Sequence, residues 1–215
     1  MPRRERPLDA GDSTVNGVAI QPGGRVVATA SWDHTARLWD ATDPAKPVLL
    51  STLDTHTGEV NSVAFSPDGT RLVSAGQDRV ARLWDVASGR EVGVLRGHDG
   101  IVRSAVFSPD GLTIATGSED KTVRLWHASP DFRQIAVLDG HAEAAVALAF
   151  TSDGRTLLSG SDDDSTVLWR IPDRPLDRID VDIAARCVCD HVETPISAAD
   201  WAAHFPGVPY QPPCG

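Results

Sequence analysis

The sequence predicts an all-β protein in which four similar antiparallel sheets follow one another along the chain before a short α-helical tail. Tryptophans at positions 39, 84, 126 and 169 are separated by steps of 45, 42 and 43 residues. In three of the copies a His also lies nine residues before a Phe: His56 and Phe65, His98 and Phe107, His141 and Phe150. A fixed period of this length is typical of proteins that stack one supersecondary unit on the next.

Turn-forming motifs divide each copy into short strands. The first turn is Pro67-Asp68-Gly69, Pro109-Asp110-Gly111 or Ser152-Asp153-Gly154, and Pro22-Gly23-Gly24 takes its place in the first copy. Proline presets one dihedral angle and glycine tolerates a positive φ, so these motifs predict hairpins. A second turn contains an Asp in every copy, and the strand after it ends in Leu-Trp; these residues are Asp33, Asp78, Asp120 and Asp163. Outer strands are predicted at residues 48–50, 91–95 and 134–138.

The composition narrows the classes of partner. The 215-residue chain carries a formal net charge of −10 and has a pI of about 5.0. Nucleic acids and anionic membranes attract basic surfaces, so we expect neither of them as a partner. No apolar segment resembles a signal peptide or a membrane span, and the three cysteines all lie within the last 29 residues. These features predict a cytoplasmic protein without a disulfide framework in its repeats.

The repeats set the domain boundaries. Residues 1–10 are too short for a sheet and are expected to be flexible, and the four repeats then cover about 11–53, 54–95, 96–138 and 139–171. Residues 172–215 contain a linker, two short predicted helices and a Pro-rich end. The first helix is predicted over 180–191, and the second begins at Ser197, whose hydroxyl can cap the free backbone N–H groups.

The repeated His, Ser or Thr, Asp and Trp positions resemble those of the WD-repeat (WD40) family of β-propellers. The resemblance covers residues 11 to about 170 and implies that each copy is one blade, a four-stranded antiparallel sheet. It also implies that the Asp accepts a hydrogen bond from the His, and that the hydroxyl joins the His to the indole of the Trp. Three of these structural tetrads are complete: His56, Ser74, Asp78 and Trp84; His98, Thr116, Asp120 and Trp126; His141, Ser159, Asp163 and Trp169.

The tetrads invite comparison with a catalytic triad, but a catalytic constellation is not expected three times in one chain. We therefore predict that the protein is not an enzyme and needs no cofactor. The acidic residues 162–164 offer oxygen ligands to a divalent cation, yet Asp163 belongs to a tetrad and adjacent strand residues point apart. A solvated acidic turn is therefore favoured over a metal site.

The tail has a resemblance of its own, to the segment that follows the propeller in bacterial signalling proteins associated with STAND-type NTPases. Cys189 and Cys214 occupy the places of that family's two cysteines, which implies a disulfide or a close contact between them, and Cys187 is extra. Reduced thiols, or zinc binding with His191 or His204, are the alternatives. The sequence contains no phosphate-binding loop, so no nucleotide role follows from this resemblance.

The resemblance also identifies a surface for partners. In WD-repeat propellers, the residue before each tetrad Asp and the residues three and five positions after the tetrad His face one narrow side, the top surface. Those positions hold the partner-binding candidates Trp32, Glu59, Asn61, Gln77, Ile101, Arg103 and Glu119. Trp32 stands out because its equivalents in the other copies are polar. It is interpreted either as a recognition residue or as a residue that packs against a missing neighbouring blade.

These features predict a non-catalytic scaffold that binds a protein or peptide through its top surface. One alternative is a regulatory remnant that works with a separately encoded STAND-type NTPase, and another is an enzyme with its site in the central funnel. WD-repeat propellers usually close with about seven blades, so four blades form an open arc. The apolar blade faces at residues 14–40 and 150–170 are then expected to cause self-association, unless the tail helices cover one of them.

Overall fold

The computed structural model describes residues 13–129 and 131–171, which form fifteen β-strands and no helix. The predicted all-β fold is therefore confirmed for this part of the chain. None of the described segments is a helix that could span a membrane. The N-terminal segment 1–10, the two predicted tail helices and the Cys189–Cys214 pair lie outside the described residues.

The strands form four antiparallel sheets, each made of consecutive strands. Sheet 1 contains β1 (Val15–Ile20), β2 (Val26–Ser31), β3 (Ala36–Asp40) and β4 (Val48–Leu53). Sheet 2 contains β5 (Val60–Phe65), β6 (Arg71–Gly76), β7 (Val80–Asp85) and β8 (Arg90–Arg96). Sheet 3 contains β9 (Val102–Phe107), β10 (Thr113–Ser118), β11 (Thr122–His127) and β12 (Gln134–Asp139). Sheet 4 contains β13 (Ala145–Phe150), β14 (Thr156–Ser161) and β15 (Thr166–Arg170).

The predicted outer strands are confirmed as β4, β8 and β12. In the described residues sheet 4 has three strands, so β15 is its last strand there. The predicted first turns are also present, with positive φ angles of 71° at Gly69, 74° at Gly111 and 70° at Gly154. Such angles favour glycine because it has no Cβ atom. The turn motifs therefore set where each first hairpin reverses direction.

The sheets stack face to face. We call the face of a sheet that packs on the preceding sheet its leading face, and the opposite face its trailing face. In sheet 2 the leading face carries Leu72 and Trp84, and the trailing face carries Val73 and Leu83. Three buried apolar clusters fill the gaps between sheets 1 and 2, 2 and 3, and 3 and 4. Because sheets 2 and 3 are buried on both faces, their strands lack a strict alternation of polar and apolar residues.

The leading face of sheet 1 and the trailing face of sheet 4, which we call the end faces, expose apolar side chains. Val18 on the leading face of sheet 1 is 69% exposed, and Leu168 on the trailing face of sheet 4 is 68% exposed. Apolar surface is thus exposed in the two regions where the sequence predicts it, residues 14–40 and 150–170.

Candidate interaction surface

A continuous chain of hydrogen bonds runs from the Trp indole to the Asp carboxylate in three sheets. In sheet 3 the Trp126 Nε1–H donates to Thr116 Oγ1 over 2.8 Å. Thr116 Oγ1 lies 2.7 Å from His98 Nε2, and His98 Nδ1 lies 2.8 Å from Asp120 Oδ2. The corresponding distances in sheets 2 and 4 lie between 2.6 and 3.2 Å. These two sets are His56, Ser74, Asp78 and Trp84, and His141, Ser159, Asp163 and Trp169.

The direction of each bond follows from the chemistry of the groups. An indole N–H can only donate, so the hydroxyl oxygen accepts from it and sends its own proton to His Nε2. The ring proton of the His is then on Nδ1, which donates to the Asp. Burial of the imidazole lowers the pKa of His98 and outweighs the opposite effect of Asp120. The tetrad in sheet 3 therefore combines a neutral imidazole with an ionised carboxylate.

The tetrad carboxylates are stabilised in their charged form. Burial alone would raise the pKa of Asp78, but hydrogen bonds from His56 and Arg82 outweigh burial and lower the pKa to about 2. Burial also opposes ionisation of Asp120, yet hydrogen bonds from Thr122 and from the tetrad His lower the pKa of Asp120 to about 2. Groups that are ionised throughout the neutral range suit a structural role better than proton transfer, which favours a pKa near the working pH.

Each tetrad Asp also fixes the chain segment that enters its sheet. Asp78 accepts the backbone N–H of Thr57 over 3.2 Å, and Asp120 accepts that of Asp99 over 3.1 Å. In sheet 4, the Ala142 N–H donates to Asp163 over 2.7 Å. A single carboxylate thus ties the connection from the preceding sheet to the second turn of its own sheet.

Backbone bonds bring these connections and second turns together at one end of the sheets. The Gln77 N–H donates to the Glu59 carbonyl, and the Glu119 N–H donates to the Ile101 carbonyl, both over 2.9 Å. We use the term top surface for the second turns, residues 32–34, 77–79, 119–121 and 162–164, together with the connections 13–14, 54–59, 97–101 and 140–144.

Sheet 1 keeps only part of this network in the described residues, because the position that matches the His is Gly11. The Trp39 Nε1–H still donates to Thr29 Oγ1 over 3.1 Å. Asp33 instead accepts from Thr35 Oγ1 over 2.6 Å and from Arg37 Nη2 over 2.7 Å. These local bonds hold the second turn of sheet 1, in which Trp32 lies.

Four of the partner-binding candidates form pairs on or beside the top surface. Gln77 Nε2 donates to Glu59 Oε2 over 2.6 Å. Arg103 forms an ion pair with Glu119, and these side chains are 42% and 32% exposed. Each pair joins a second turn to the connection or first strand of the same sheet. Exposed ion pairs such as Arg103 with Glu119 contribute little to stability.

Two other candidates are less accessible. Asn61 is only 7% exposed, and its Nδ2 donates to the Val102 carbonyl over 3.1 Å. It also accepts a hydrogen bond from Asn16 Nδ2 over 3.4 Å. Asn61 therefore links the first strands of sheets 1, 2 and 3. Ile101 is partly buried and contributes its carbonyl to the turn bond with Glu119.

Trp32 is exposed at the top surface, with 42% of its area accessible. The tetrad tryptophans Trp84 and Trp126 are only 2% exposed. The backbone N–H of Trp32 donates to the Thr14 carbonyl over 3.0 Å, and the residues equivalent to Trp32 make the same bond in their own sheets. The backbone of this turn is thus ordinary, and what distinguishes it is the large aromatic side chain.

Lys121 is a top-surface residue that the sequence pattern did not identify. Its Nζ donates to the Ala142 carbonyl over 2.5 Å and lies 3.4 Å from Glu143 Oε1. The side chain therefore joins the second turn of sheet 3 to the connection that enters sheet 4. The available signal was its place directly after a tetrad Asp, where Arg79, Lys121 and Asp164 share a positive φ of 65°, 72° and 62°.

Among residues 13–129 and 131–171, no three His, Cys, Asp or Glu side chains converge as a metal site would require. The surface instead combines paired charges, amides and one large aromatic ring, which are the components of protein interfaces.

Stacked antiparallel sheets, each tied internally from a Trp indole to a turn carboxylate, define a blade-repeat protein of the β-propeller class. A family model described as WD domain, G-beta repeat matches residues 5–40, 47–85, 89–127 and 132–170, more than half of the chain. The chain belongs to the WD40 repeat family. Proteins of this family generally act as protein-interaction scaffolds and are generally not enzymes. No curated protein matches the chain in sequence.

Proposed function

We propose that this protein is a non-catalytic scaffold that binds a protein or peptide partner on its top surface. The family supports the general role of an interaction scaffold. The observation that supports the location is the 42% exposure of Trp32 on a surface where its equivalents are polar.

The surroundings of the equivalent residues explain why Trp32 is the expected anchor. Gln77 and Glu119 each have a polar partner within their own sheet. An indole ring at the same place adds apolar area that those pairs do not provide. Tryptophan is among the residues most enriched at binding hot spots, where its truncation costs roughly 2 kcal/mol or more.

Exposed ion pairs in and after sheet 3 are suited to specificity. Arg103 with Glu119 and Lys121 with Glu143 lie on or beside the top surface, with side chains between 32% and 60% exposed. Both pairs are half solvated, so a partner with complementary charges can engage them at a small loss of internal stability.

The proposal includes a cytoplasmic location, which the sequence composition supports. The alternative regulatory role beside a separately encoded STAND-type NTPase rests on tail residues that lie outside the described part of the chain.

The test is affinity capture followed by mass spectrometry with three forms of the full chain: wild type, Trp32→Gln and Leu112→Gln. Gln is the residue of the next sheet at the Trp32 position. Leu112 is the matched control, because it is 62% exposed but lies in the first turn of sheet 3, away from the top surface. We expect Trp32→Gln to weaken capture of the wild-type partner by roughly 30-fold while its melting temperature stays unchanged. Leu112→Gln should bind like wild type.

The opposite pattern would refute the recognition role. If Trp32→Gln lowers the melting temperature and leaves partner capture intact, Trp32 serves as packing for a blade edge. Equal loss of capture in both variants would show that apolar surface in general, and not the top surface, holds the partner.

A further inference from the structure

The leading face of sheet 1 has apolar residues at the positions that are buried in the other sheets. Val18 is 69% exposed, whereas its equivalents Val63 and Ala105 are 7% and 0% exposed. Val15 at the start of the same strand is 40% exposed, and its equivalent Val60 is fully buried. Ile20 adds a third branched side chain that is 68% exposed. This face therefore has the composition of an inner face without a described sheet against it.

The trailing face of sheet 4 shows the same contrast. Leu168 is 68% exposed, but the leucines that precede the tetrad Trp in the other sheets, Leu38, Leu83 and Leu125, are between 0% and 2% exposed. A repeat array that ends in water carries polar residues on its terminal faces. Both end faces depart from that rule, so each is suited to contact with another sheet.

Glycine geometry shows how closely another sheet can approach. A Cβ atom added to Gly117, on the trailing face of sheet 3, would lie 2.8 Å from the carbonyl oxygen of Ala145 in sheet 4. Gly160 occupies the same position in sheet 4, and among the described residues a Cβ atom there would have only the Cβ of Ala147 within 4 Å, at 3.7 Å. Gly160 thus keeps open the space that, beside Gly117, the first strand of the next sheet fills.

We propose that two copies of this chain form a closed ring, in which the leading face of sheet 1 in each copy packs on the trailing face of sheet 4 in the other. The two faces are complementary because every inner gap already pairs a trailing face with a leading face. They do not cover each other within one copy, as the exposure of Val18 and Leu168 shows.

The number of sheets in the described residues favours two copies. A head-to-tail interface generates a ring when its rotation closes. Two copies of four sheets give eight blades, which lies at the upper end of the usual range of about four to eight, whereas three copies give twelve. In such a ring Val15 of one copy approaches Gly160 of the other, as Ala145 approaches Gly117 within a copy. The ring would also place Trp32 beside the second turn of the other copy's sheet 4.

Sedimentation velocity on the full chain tests this proposal. We expect wild type to sediment as a dimer, and Gly160→Val and Val18→Asp each to sediment as monomers. Gly160→Val should leave the melting temperature of the monomer unchanged, because its side chain enters space that no described residue of its own copy fills. Leu112→Asp, equally exposed but on neither end face, is the control and should remain a dimer.

A mixing experiment distinguishes head-to-tail contact from contact between like faces. The Val18→Asp chain keeps an intact trailing face, and the Gly160→Val chain keeps an intact leading face. An equimolar mixture should therefore form a one-to-one pair through its single intact interface, more weakly than the wild-type dimer, which has two. Failure of the mixture to associate would indicate pairing between like faces and overturn the ring. A monomeric wild type, a dimer that survives both single variants, or a Gly160→Val monomer with a clearly lower melting temperature would each overturn it as well. The last outcome would show that a segment of the same chain covers sheet 4.

Discussion

At the scale of single residues, each tetrad Asp connects several segments of the chain by hydrogen bonds. Asp120 accepts hydrogen bonds from the His98 ring, from Thr122 and from the Asp99 backbone. These groups come from the connection that enters sheet 3 and from the first residue of strand β11. The position of each top-surface loop therefore depends on a buried polar network, and such networks are stable only when every member is satisfied.

Removal of a tetrad His should lower stability. In His98→Ala, Asp120 and Thr116 remain buried without their partner, so we expect a loss of about 1–3 kcal/mol in the free energy of unfolding. Thermal unfolding measured beside Arg103→Ala, whose ion pair is exposed and contributes roughly 0–1 kcal/mol, checks this expectation. Equally small effects of the two changes would contradict the structural role of the tetrad.

The tetrads should also make the fold sensitive to acid. The pKa of Asp78 and of Asp120 is lowered from 3.8 to about 2, so their stabilisation is complete above about pH 4 and is lost as the pH falls towards 2. Burial lowers the pKa of His98 below 6.5, so the unfolded chain binds that proton first and stability begins to fall below about pH 6.5. Urea unfolding between about pH 8 and 2 should therefore show a shallow decline followed by a steep one. A free energy of unfolding that stays constant or rises on acidification would be inconsistent with these assignments.

At the scale of the sheets, stability depends on close approach between neighbours. A Cβ atom at Gly117 would lie 2.8 Å from the Ala145 carbonyl oxygen, and this backbone atom can move only if sheet 4 moves. We expect Gly117→Ala to lower the free energy of unfolding by about 1–3 kcal/mol, although alanine is intrinsically the better strand residue. Val137→Ala, in an outer strand and 44% exposed, is the control and should change it by less than about 1 kcal/mol. Urea unfolding of both variants measures these changes. Equal effects would show that sheets 3 and 4 are packed loosely.

The sheets were predictable from the sequence because each one repeats the same local chemistry. Turn motifs and the Leu-Trp ending locate the strands, and the resemblance to the WD-repeat family implies the tetrad bonds that the structure forms between His98 and Trp126. Contacts between sheets were not predictable in the same way. Asn61 donates to the Val102 carbonyl in the next sheet, and Lys121 donates to the Ala142 carbonyl in the connection that enters the next sheet. Such contacts depend on how far one sheet is rotated against another, which a repeat pattern does not specify.

At the scale of the whole molecule, the described array has three distinct kinds of surface. The top surface carries Trp32 and the exposed ion pairs, the first turns lie at the opposite ends of the strands, and the end faces carry Val18 and Leu168. Their separation allows a partner to bind at the top surface while the end faces make other contacts. We propose that the top surface binds the partner, and that the first turns and the end faces do not.

Amide hydrogen exchange of the full chain, with and without the captured partner, tests this claim most directly. We expect the partner to slow exchange in the second turns 32–34, 77–79 and 119–121 and in the connections 54–59 and 97–101. The first turns, residues 22–24, 67–69, 109–111 and 152–154, should exchange at the same rate in both samples. Protection confined to the first turns, or to strand β1 and strand β15, would contradict the claim that the top surface is the binding site.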